Sequence, residues 1–227
     1  MKKINSKIAV ITGASSGLGL EMSRVLATRG YTVVGTARSL KDFSPTSHYP
    51  CVMMTADVAD EKQMRKLRQS IVKKYGHIDL WVNNAGVWLP HGPFESLSMS
   101  DLHRVMSVNF LGTVWGCRES MAVMRNQKFG TIVNIISTSA LEGRPFSAGY
   151  CSSKFAQSGF TQSIQGEVAE SGVRVLAIYP GQMKTALFGK HQPPQFASYM
   201  DTCKVAEKVV RFILAPGKKQ KLIIRKI

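Results

Sequence analysis

The sequence predicts a doubly wound α/β domain of the Rossmann type, with a parallel central sheet of about seven strands flanked by helices on both faces. Two observations lead to this class. Strand-length runs that are almost wholly apolar alternate with longer helical runs, which is typical of parallel strands buried on both sides. A glycine-rich turn joins the first strand to the first helix. The 227 residues are expected to form one domain, residues 1–227.

The first half of the chain contains four predicted strands and two predicted helices. Each strand is short and mostly apolar. Each helix ends directly before a glycine, which tolerates the left-handed backbone at a helix C-terminus. The strands are Lys7–Thr12, Tyr31–Thr36, Cys51–Thr55 and Ile78–Val82, and the helices are Leu18–Arg29 and Asp60–Tyr75.

The second half continues the alternation with longer helices. One continuous helix is predicted over Ser100–Arg125, with Ser98 or Ser100 as its N-cap. The irregular stretch 186–200 is interpreted as a loop on the substrate side. The other elements are the strands Thr131–Ile136, Val173–Tyr179 and Lys221–Arg225 and the helices Tyr150–Glu170 and Thr202–Leu214.

The chain is strongly basic, with 30 Lys and Arg residues against 14 Asp and Glu residues and a net charge of +16. Such a charge first points to nucleic acid as a partner. However, the basic residues are spread out, and no aromatic-interleaved basic motif accompanies them. We therefore expect a solvated basic surface and no nucleic-acid partner, with attraction for an acidic carrier protein or another polyanion as the alternative.

Neither a membrane span nor a metal site is expected. No apolar run approaches the length of about 18 residues that a spanning helix needs. The basic start Met1–Lys3 resembles that of a signal peptide, but the apolar run Ile8–Ile11 is too short to complete one, so we expect a cytoplasmic protein. The cysteines lack the spacing of metal ligands and are expected to be reduced, structural thiols: Cys51, Cys117, Cys151 and Cys203.

The turn after the first strand predicts a dinucleotide site. Gly13, Gly17 and Gly19 follow a strand and open a helix, so that bare backbone can approach a pyrophosphate at the positive helix end. Their spacing is GxxxGxG, whereas the commoner fingerprint is GxGxxG. A tight turn without a ligand is the alternative.

The residue after the second strand predicts which dinucleotide binds. An acidic residue there would accept the adenosine ribose hydroxyls, but this chain has Arg38. A guanidinium favours the 2′-phosphate of NADP(H) by about 1.5–3 kcal/mol, roughly 10- to 150-fold in preference. Ser15 and Ser39 are expected to add hydroxyls to the same phosphate. An exposed loop arginine is the alternative interpretation.

Tyr150 and Lys154 predict the chemistry, because four residues along a helix place them one turn apart on one face. A free phenol has a pKa near about 10, and a cation at about 4–6 Å lowers it by around 1–3 units. We therefore expect Lys154 to prepare Tyr150 as a general acid and base. Ser137, at the end of the fifth strand, would hold the substrate oxygen, with Ser139 as the competing candidate.

The segments Thr12–Gly19, Asn83–Gly86 and Tyr150–Lys154 together resemble the short-chain dehydrogenase/reductase family over nearly the whole chain. The resemblance implies an NADP(H)-dependent oxidoreductase that interconverts a carbonyl and a secondary alcohol. It also implies Asn109 as a fourth catalytic member, which anchors a water in the proton relay. The cofactor residues that it implies are Gly13, Ser15, Ser16, Gly17, Leu18, Gly19, Arg38, Ser39, Asp57, Val58, Asn83, Ala85, Gly86, Tyr150, Lys154, Pro180, Gly181, Met183 and Thr185.

The substrate is left open. Reduction of a 3-oxoacyl group on a carrier protein is a specific alternative, and a non-catalytic NADP-sensing or polyanion-binding protein is the alternative from another class. Candidates for an apolar pocket, each with an ordinary core position as the alternative, are Trp88, Leu89, Phe94, Phe146, Met183 and Phe188. The resemblance favours a homodimer or homotetramer. So do apolar side chains that are too numerous for one helix face, with packing of them all against the sheet as the alternative: Val105, Met106, Leu111, Trp115 and Met121.

Overall fold

A computed structural model describes residues 6–39 and 51–225, and seven parallel strands form the centre of this part of the chain. The strands are β1 (Lys7–Thr12), β2 (Tyr31–Ala37), β3 (Cys51–Thr55), β4 (Leu80–Asn83), β5 (Gly130–Ile135), β6 (Val173–Pro180) and β7 (Lys221–Ile224). They lie in the order β3-β2-β1-β4-β5-β6-β7, and every neighbouring pair is parallel. The predicted fold class is confirmed. The basic start Met1–Lys3 lies outside the described residues.

Helices cover both faces of the sheet. They are α1 (Gly17–Thr28), α2 (Glu61–Tyr75), α3 (Met99–Val105), α4 (Gly112–Gln127), α5 (Ala148–Glu167) and α6 (Thr202–Leu214). On one face, α1 and α6 pack against the sheet, and on the other face α2, α4 and α5 do so. The two apolar clusters explain why the strands carry apolar residues at successive positions.

Helix α2 shows why several boundaries could be predicted. The side chain of Asp60 accepts a hydrogen bond from the main-chain N–H of Gln63 at 3.1 Å and caps the first turn. At the other end, Gly76 has a φ of 83°, the left-handed conformation that favours glycine. Both signs are visible in the sequence.

The predicted helix Ser100–Arg125 differs in its interior. The chain is helical from Met99 to Gln127, but Met106–Leu111 form a π-helical segment between α3 and α4. The side chain of Asn109 lies fully buried there and bonds to groups outside the helix. A π-helical turn accommodates one extra residue, and these contacts stabilise it. Ser98 is the N-cap position but makes no capping bond.

Most of the apolar helix side chains that favour an oligomer pack inside the chain. Val105 is fully buried, and Trp115 and Met121 pack against the core cluster beneath α4. Leu111 remains exposed. Intramolecular packing therefore accounts for much of this pattern, and the homodimer or homotetramer stays a prediction.

Two features of the described residues bear on partners. None of the helices within residues 6–39 and 51–225 is long and apolar enough to cross a membrane. In the same ranges, no group of three or more His, Cys, Asp or Glu side chains could hold a metal ion. The four cysteines are all free thiols.

A chain of buried polar groups supports the centre of the sheet. The indole N–H of Trp81 donates to Asn83 Oδ1 at 2.8 Å, and Asn83 Nδ2 donates to Asn134 Oδ1 at 2.8 Å. The amide of Asn134 then donates to Thr161 Oγ1 on α5 at 2.9 Å. These bonds fix β4, β5 and α5 relative to one another, close to where their functional residues begin.

Candidate active site

A large cleft lies across the carboxyl ends of the parallel strands and has a volume of about 1030 Å³. Its walls include residues that follow β1, β2, β4, β5 and β6. The strand order reverses between β1 and β4, the point at which open α/β sheets bind ligands. Both the glycine turn and Tyr150 line this cleft.

The glycine turn needs its glycines for two different reasons. Gly13 and Gly17 have φ values of 66° and 54°, which favour glycine. A Cβ on Gly13 would also lie 2.8 Å from Cα of Ala85, and a Cβ on Gly19 would overlap the main-chain oxygen of Gly13. Gly19 is buried and does not line the cleft. Its position therefore supports close packing of the turn, and its predicted cofactor contact stays a prediction.

The start of α1 is suited to an anion. Ser16 is the N-cap, yet its side chain makes no capping hydrogen bond, and the first turn contains no acidic residue. Ser15, Ser16, Gly17 and Leu18 line the cleft. Because the first N–H groups of a helix have no intrahelical partner and carry partial positive charge, this segment fits a pyrophosphate.

Arg38, Asp57 and Val58 line the same cleft. Arg38 is exposed, so its guanidinium is accessible to a ligand. Asp57 accepts a hydrogen bond from the main-chain N–H of Ala59 at 2.9 Å, and it is the one acidic side chain among the described wall residues. Ser39 is exposed but lies outside the cleft wall, so its predicted phosphate contact lacks the support that Arg38 has.

The segment after β4 is bonded directly to the glycine turn. The N–H groups of Asn84 and Ala85 both donate to Thr12 Oγ1 at 3.0 Å. Asn84 Nδ2 returns hydrogen bonds to the main-chain oxygens of Thr12 and Gly13. Ala85 and Gly86 line the cleft as expected. So does Asn84, which the sequence interpretation did not single out.

Asn83 has a different position from the one predicted. It is buried and is not part of the cleft wall. Its amide is instead bonded to Trp81, Asn134 and Cys117. The side chain therefore supports the sheet behind the cleft. Its predicted contact with a cofactor has no support from this position and stays a prediction.

Ser137, Tyr150 and Lys154 meet in the cleft. Tyr150 and Lys154 are on α5, with the Lys154 Nζ 5.8 Å from the centroid of the Tyr150 ring. Ser137 lies two residues after the end of β5, and its Oγ accepts a hydrogen bond from the N–H of Ser139 at 3.1 Å. Ser139, the competing candidate, also lines the cleft but is buried.

The electrostatics of this pair differ from the expectation. Burial raises the pKa of Tyr150 to about 12, although hydrogen bonding to Ser137 and the charge of Arg144 act in the opposite direction. Burial also lowers the pKa of Lys154 to about 7. The expected lowering of the phenol pKa by Lys154 is not seen, because burial acts on both groups and the spacing of two residues does not reveal how much water they have lost.

Asn109 lies behind the cleft wall. Its Oδ1 accepts from the N–H of Val87 at 2.8 Å, and its Nδ2 donates to the oxygen of Val87 and to Ser153 Oγ, both at 3.0 Å. Ser153 Oγ in turn donates to the main-chain oxygen of Tyr150 at 2.7 Å. This side chain therefore connects the π-helical segment with α5, while the relay water that the resemblance implies stays a prediction.

The loop after β6 borders the cleft beside the start of α1. Pro180, Gly181, Met183 and Thr185 all line it. A Cβ on Gly17 would lie 3.4 Å from Cβ of Thr185, so the loop packs near the start of α1. Residues 186–200 form two short 3₁₀ turns, Ala186–Phe188 and Phe196–Ser198, and several of them line the cleft.

Half of the proposed apolar pocket lines the cleft. Trp88, Met183 and Phe188 are in its wall, and the rings of Trp88 and Phe188 meet edge to face at 5.1 Å. The other three candidates lie outside the cleft wall: Leu89 is buried, as the alternative of a core position predicts, whereas Phe94 and Phe146 are exposed.

The model of the short chain dehydrogenase family matches residues 7–195. The chain belongs to this family. It is 34% identical over 192 residues to the NADPH-dependent pterin aldehyde reductase of Arabidopsis thaliana, covering 81% of this chain and 78% of that protein. It is 32% identical over 194 residues to the uncharacterized oxidoreductase YxnA of Bacillus subtilis, covering 82% of this chain but 54% of that longer protein.

Solved structures agree with this family membership. The structure described as ElxO with NADP bound superposes with a TM-score of 0.87 at 29% identity and covers 97% of both chains. A short-chain dehydrogenase from Streptomyces avermitilis has a TM-score of 0.86 at 26% identity, covering 98% of this chain and 89% of that one.

The buried ammonium of this dehydrogenase family member gives a first prediction. Lys154 has a pKa of about 7 when folded, against 10.5 for the free group. Between these values the unfolded chain binds a proton that the folded chain lacks, so this group makes folding more favourable as pH rises. Lys154→Met removes that dependence, although it leaves Gln157 Oε1 without its partner, at a cost of about 1–3 kcal/mol.

We therefore expect the unfolding free energy of Lys154→Met, relative to wild type, to fall by about 3 kcal/mol between about pH 6.5 and 9.5. Urea unfolding at several pH values measures it. Lys208→Met, at an exposed position on α6, is the control and should show no such trend. A difference for Lys154→Met that is constant with pH would contradict the prediction.

Proposed function

We propose that the chain is an NADP(H)-dependent oxidoreductase that interconverts a carbonyl and a secondary alcohol. The observation that carries the proposal is that one cleft is lined by the glycine turn, Arg38, Ser137, Tyr150 and Lys154. The glycine turn and Arg38 suit a phosphorylated dinucleotide, and the other three suit proton transfer to an oxygen. Two similar proteins support the choice of cofactor: an NADPH-dependent reductase and a protein solved with NADP bound.

The residues present fit NADP(H). The open start of α1 would hold the pyrophosphate, and Arg38 would pair with the 2′-phosphate. Val58 would contact the adenine, while Lys154 and the loop at Thr185 would border the nicotinamide half. When bound, the cofactor supplies a hydride to the carbonyl carbon.

Tyr150 has the protonation state that reduction requires. With a pKa of about 12, the phenol keeps its proton at neutral pH and can donate it to the carbonyl oxygen. Ser137 would hold that oxygen as negative charge develops. A protonated Lys154 would stabilise the phenolate that the transfer leaves. In the oxidation direction, the phenol would first lose its proton, and the resulting phenolate would accept the proton of the alcohol.

Tyr150→Phe tests the role of the phenol. The change removes the acid and little else, so kcat should fall by about 10²–10⁴-fold, while the Kd of NADPH stays within a few-fold. Single-turnover reduction and fluorescence titration of NADPH give the two values. A variant that retains more than roughly a tenth of the wild-type kcat would exclude Tyr150 as the proton donor.

Arg38→Asp tests the choice of cofactor. The change removes the partner of the 2′-phosphate and adds a carboxylate for ribose hydroxyls, so the preference should invert towards NADH. The ratio of kcat/KM for NADPH and NADH, measured before and after, reports it. If the wild-type chain already prefers NADH, the argument from Arg38 fails.

We further propose that the substrate carries a negative charge. Arg144 lines the cleft together with Ser137 and Tyr150, and its charge acts on the phenol. Its guanidinium makes a long hydrogen bond of 3.5 Å to Thr138 Oγ1, and among the described residues it forms no ion pair within 4.0 Å. A carboxylate or phosphate on the carbonyl compound would find a partner there.

Paired substrates test this charge. Arg144→Gln should lower kcat/KM for a series of keto acids by roughly 10- to 150-fold, and that for their methyl esters by no more than about threefold. Arg104→Gln is the matched control, since Arg104 also lines the cleft but is paired with Asp101 at 2.7 Å. Equal losses for acids and esters would contradict an anionic substrate without affecting the proposed reaction.

The two alternatives make different predictions. A 3-oxoacyl group on an acidic carrier protein would be reduced faster than the same group on a small thiol, and the basic surface favours this case. A non-catalytic NADP-binding protein would bind NADPH but would not oxidise it, whichever carbonyl compound is added. The presence of Tyr150, Lys154 and Ser137 in one cleft favours an enzyme.

A further inference from the structure

We propose that Gln157 is a positioning residue for the proposed reaction: its carboxamide holds the side chain of Lys154 and ties it through Thr113 to the main chain at Asn109. Lys154 Nζ donates to Gln157 Oε1 at 2.7 Å, and Gln157 Nε2 donates to Thr113 Oγ1 at 2.6 Å. Thr113 Oγ1 donates to the main-chain oxygen of Asn109 at 2.9 Å. The hydrogen bonds stand independently of the proposed function, and only their effect on catalysis rests on it.

The network itself determines which way the carboxamide of Gln157 faces. A threonine hydroxyl has one proton, and that of Thr113 is used on the oxygen of Asn109. Its oxygen can then only accept from Gln157, so the NH₂ group of Gln157 must face Thr113. The amide oxygen is left facing Lys154, which is the orientation that an ammonium requires.

Burial makes these bonds consequential. Asn109 and Gln157 are fully buried, and Thr113 and Lys154 retain 3% and 5% exposure. The other hydrogen bond of Lys154 in the described ranges is a long one of 3.5 Å to the oxygen of Ile135. Gln157 therefore supplies the short acceptor for a group that has lost almost all of its water.

The neighbours of Lys154 contribute little competing charge. On α5 the titratable groups nearby are Tyr150 and Cys151, and the preceding loop contributes Arg144. The residues that pack against Lys154 from β5 and the segment after β4, Ile135 and Gly86, have no titratable side chain.

The direct test is the titration of Lys154 by NMR, in protein labelled with ¹³C-lysine, with the Lys154 signal assigned by its loss in Lys154→Met. Gln157→Leu should lower the pKa of Lys154 by about 1–2 units, because a hydrogen bond to the charged form is lost. Gln157→Glu should raise it by about 1–3 units, because a carboxylate favours the ammonium. Thr113→Val should lower it, since the carboxamide is then free to turn.

Two further comparisons separate positioning from general damage. Thr113→Val should add nothing to the shift once Gln157→Leu is present, because both act through one chain of bonds. Gln162→Leu, at an exposed position on the same helix, should leave the titration of Lys154 unchanged. Shifts in the same direction for the Leu and Glu variants, or no shift in either, would overturn the inference.

Activity provides the second readout. The pH profile of kcat for NADPH-dependent reduction should move in the direction of the Lys154 pKa in each Gln157 variant, with Gln157→Glu retaining more activity than Gln157→Leu at about pH 8. A profile that does not move would overturn the catalytic consequence. The NMR titration needs no substrate, so an absence of any carbonyl reduction by the wild-type chain would contradict the proposed function separately.

Discussion

The hydroxyl of Thr12 joins the two strands on which the cleft depends. It accepts hydrogen bonds from the N–H groups of Asn84 and Ala85, while the Asn84 side chain bonds back to the turn after β1. Since β1 and β4 are neighbours at the point where the strand order reverses, these bonds fix the spacing of the two cleft walls. Gly13 is required there because Cα of Ala85 lies where its side chain would be.

A second constraint is electrostatic. The cleft is lined by several basic side chains, whereas Asp57 is the one carboxylate among the described wall residues. A surface with a net charge of +16 adds a positive field over the cleft, which steers anions towards it. The hydrogen bonds of Lys154 show how one of these basic groups is held inside the cleft. An amine deprived of water is retained in position by a neutral carboxamide, which leaves its charge free to respond to the reacting groups.

The sequence predicted the parts of the structure that local rules control. The ends of α2 follow from Asp60 and Gly76, and the strands follow from their apolar runs. The π-helical segment could not be predicted, because its cause is the contact of Asn109 with Val87 and Ser153, which are remote along the chain. The pKa of Tyr150 also could not be predicted from the sequence. The spacing of Tyr150 and Lys154 determines the distance between them but not how far burial removes water from the phenol.

The candidate site divides along the same line. Motifs located the wall residues well, because residues at the ends of parallel strands necessarily meet. They did not separate wall residues from those behind the wall, as Gly19 and Asn83 show. Gln157 was not identified from the sequence, although it lies one turn after Lys154. Its role depends on the orientation of its carboxamide, which Thr113 on another helix determines.

Because of the π-helical segment Met106–Leu111, the number of residues in this part of the chain determines how α3 is oriented relative to α4. A regular α-helix there would need one residue fewer, and each residue removed would rotate everything before it by about 100° relative to α4. Asn109 would then lose the direction in which it meets Val87 and α5. Substitutions can accumulate along this helix one at a time, whereas an insertion or deletion would have to be compensated in the same turn.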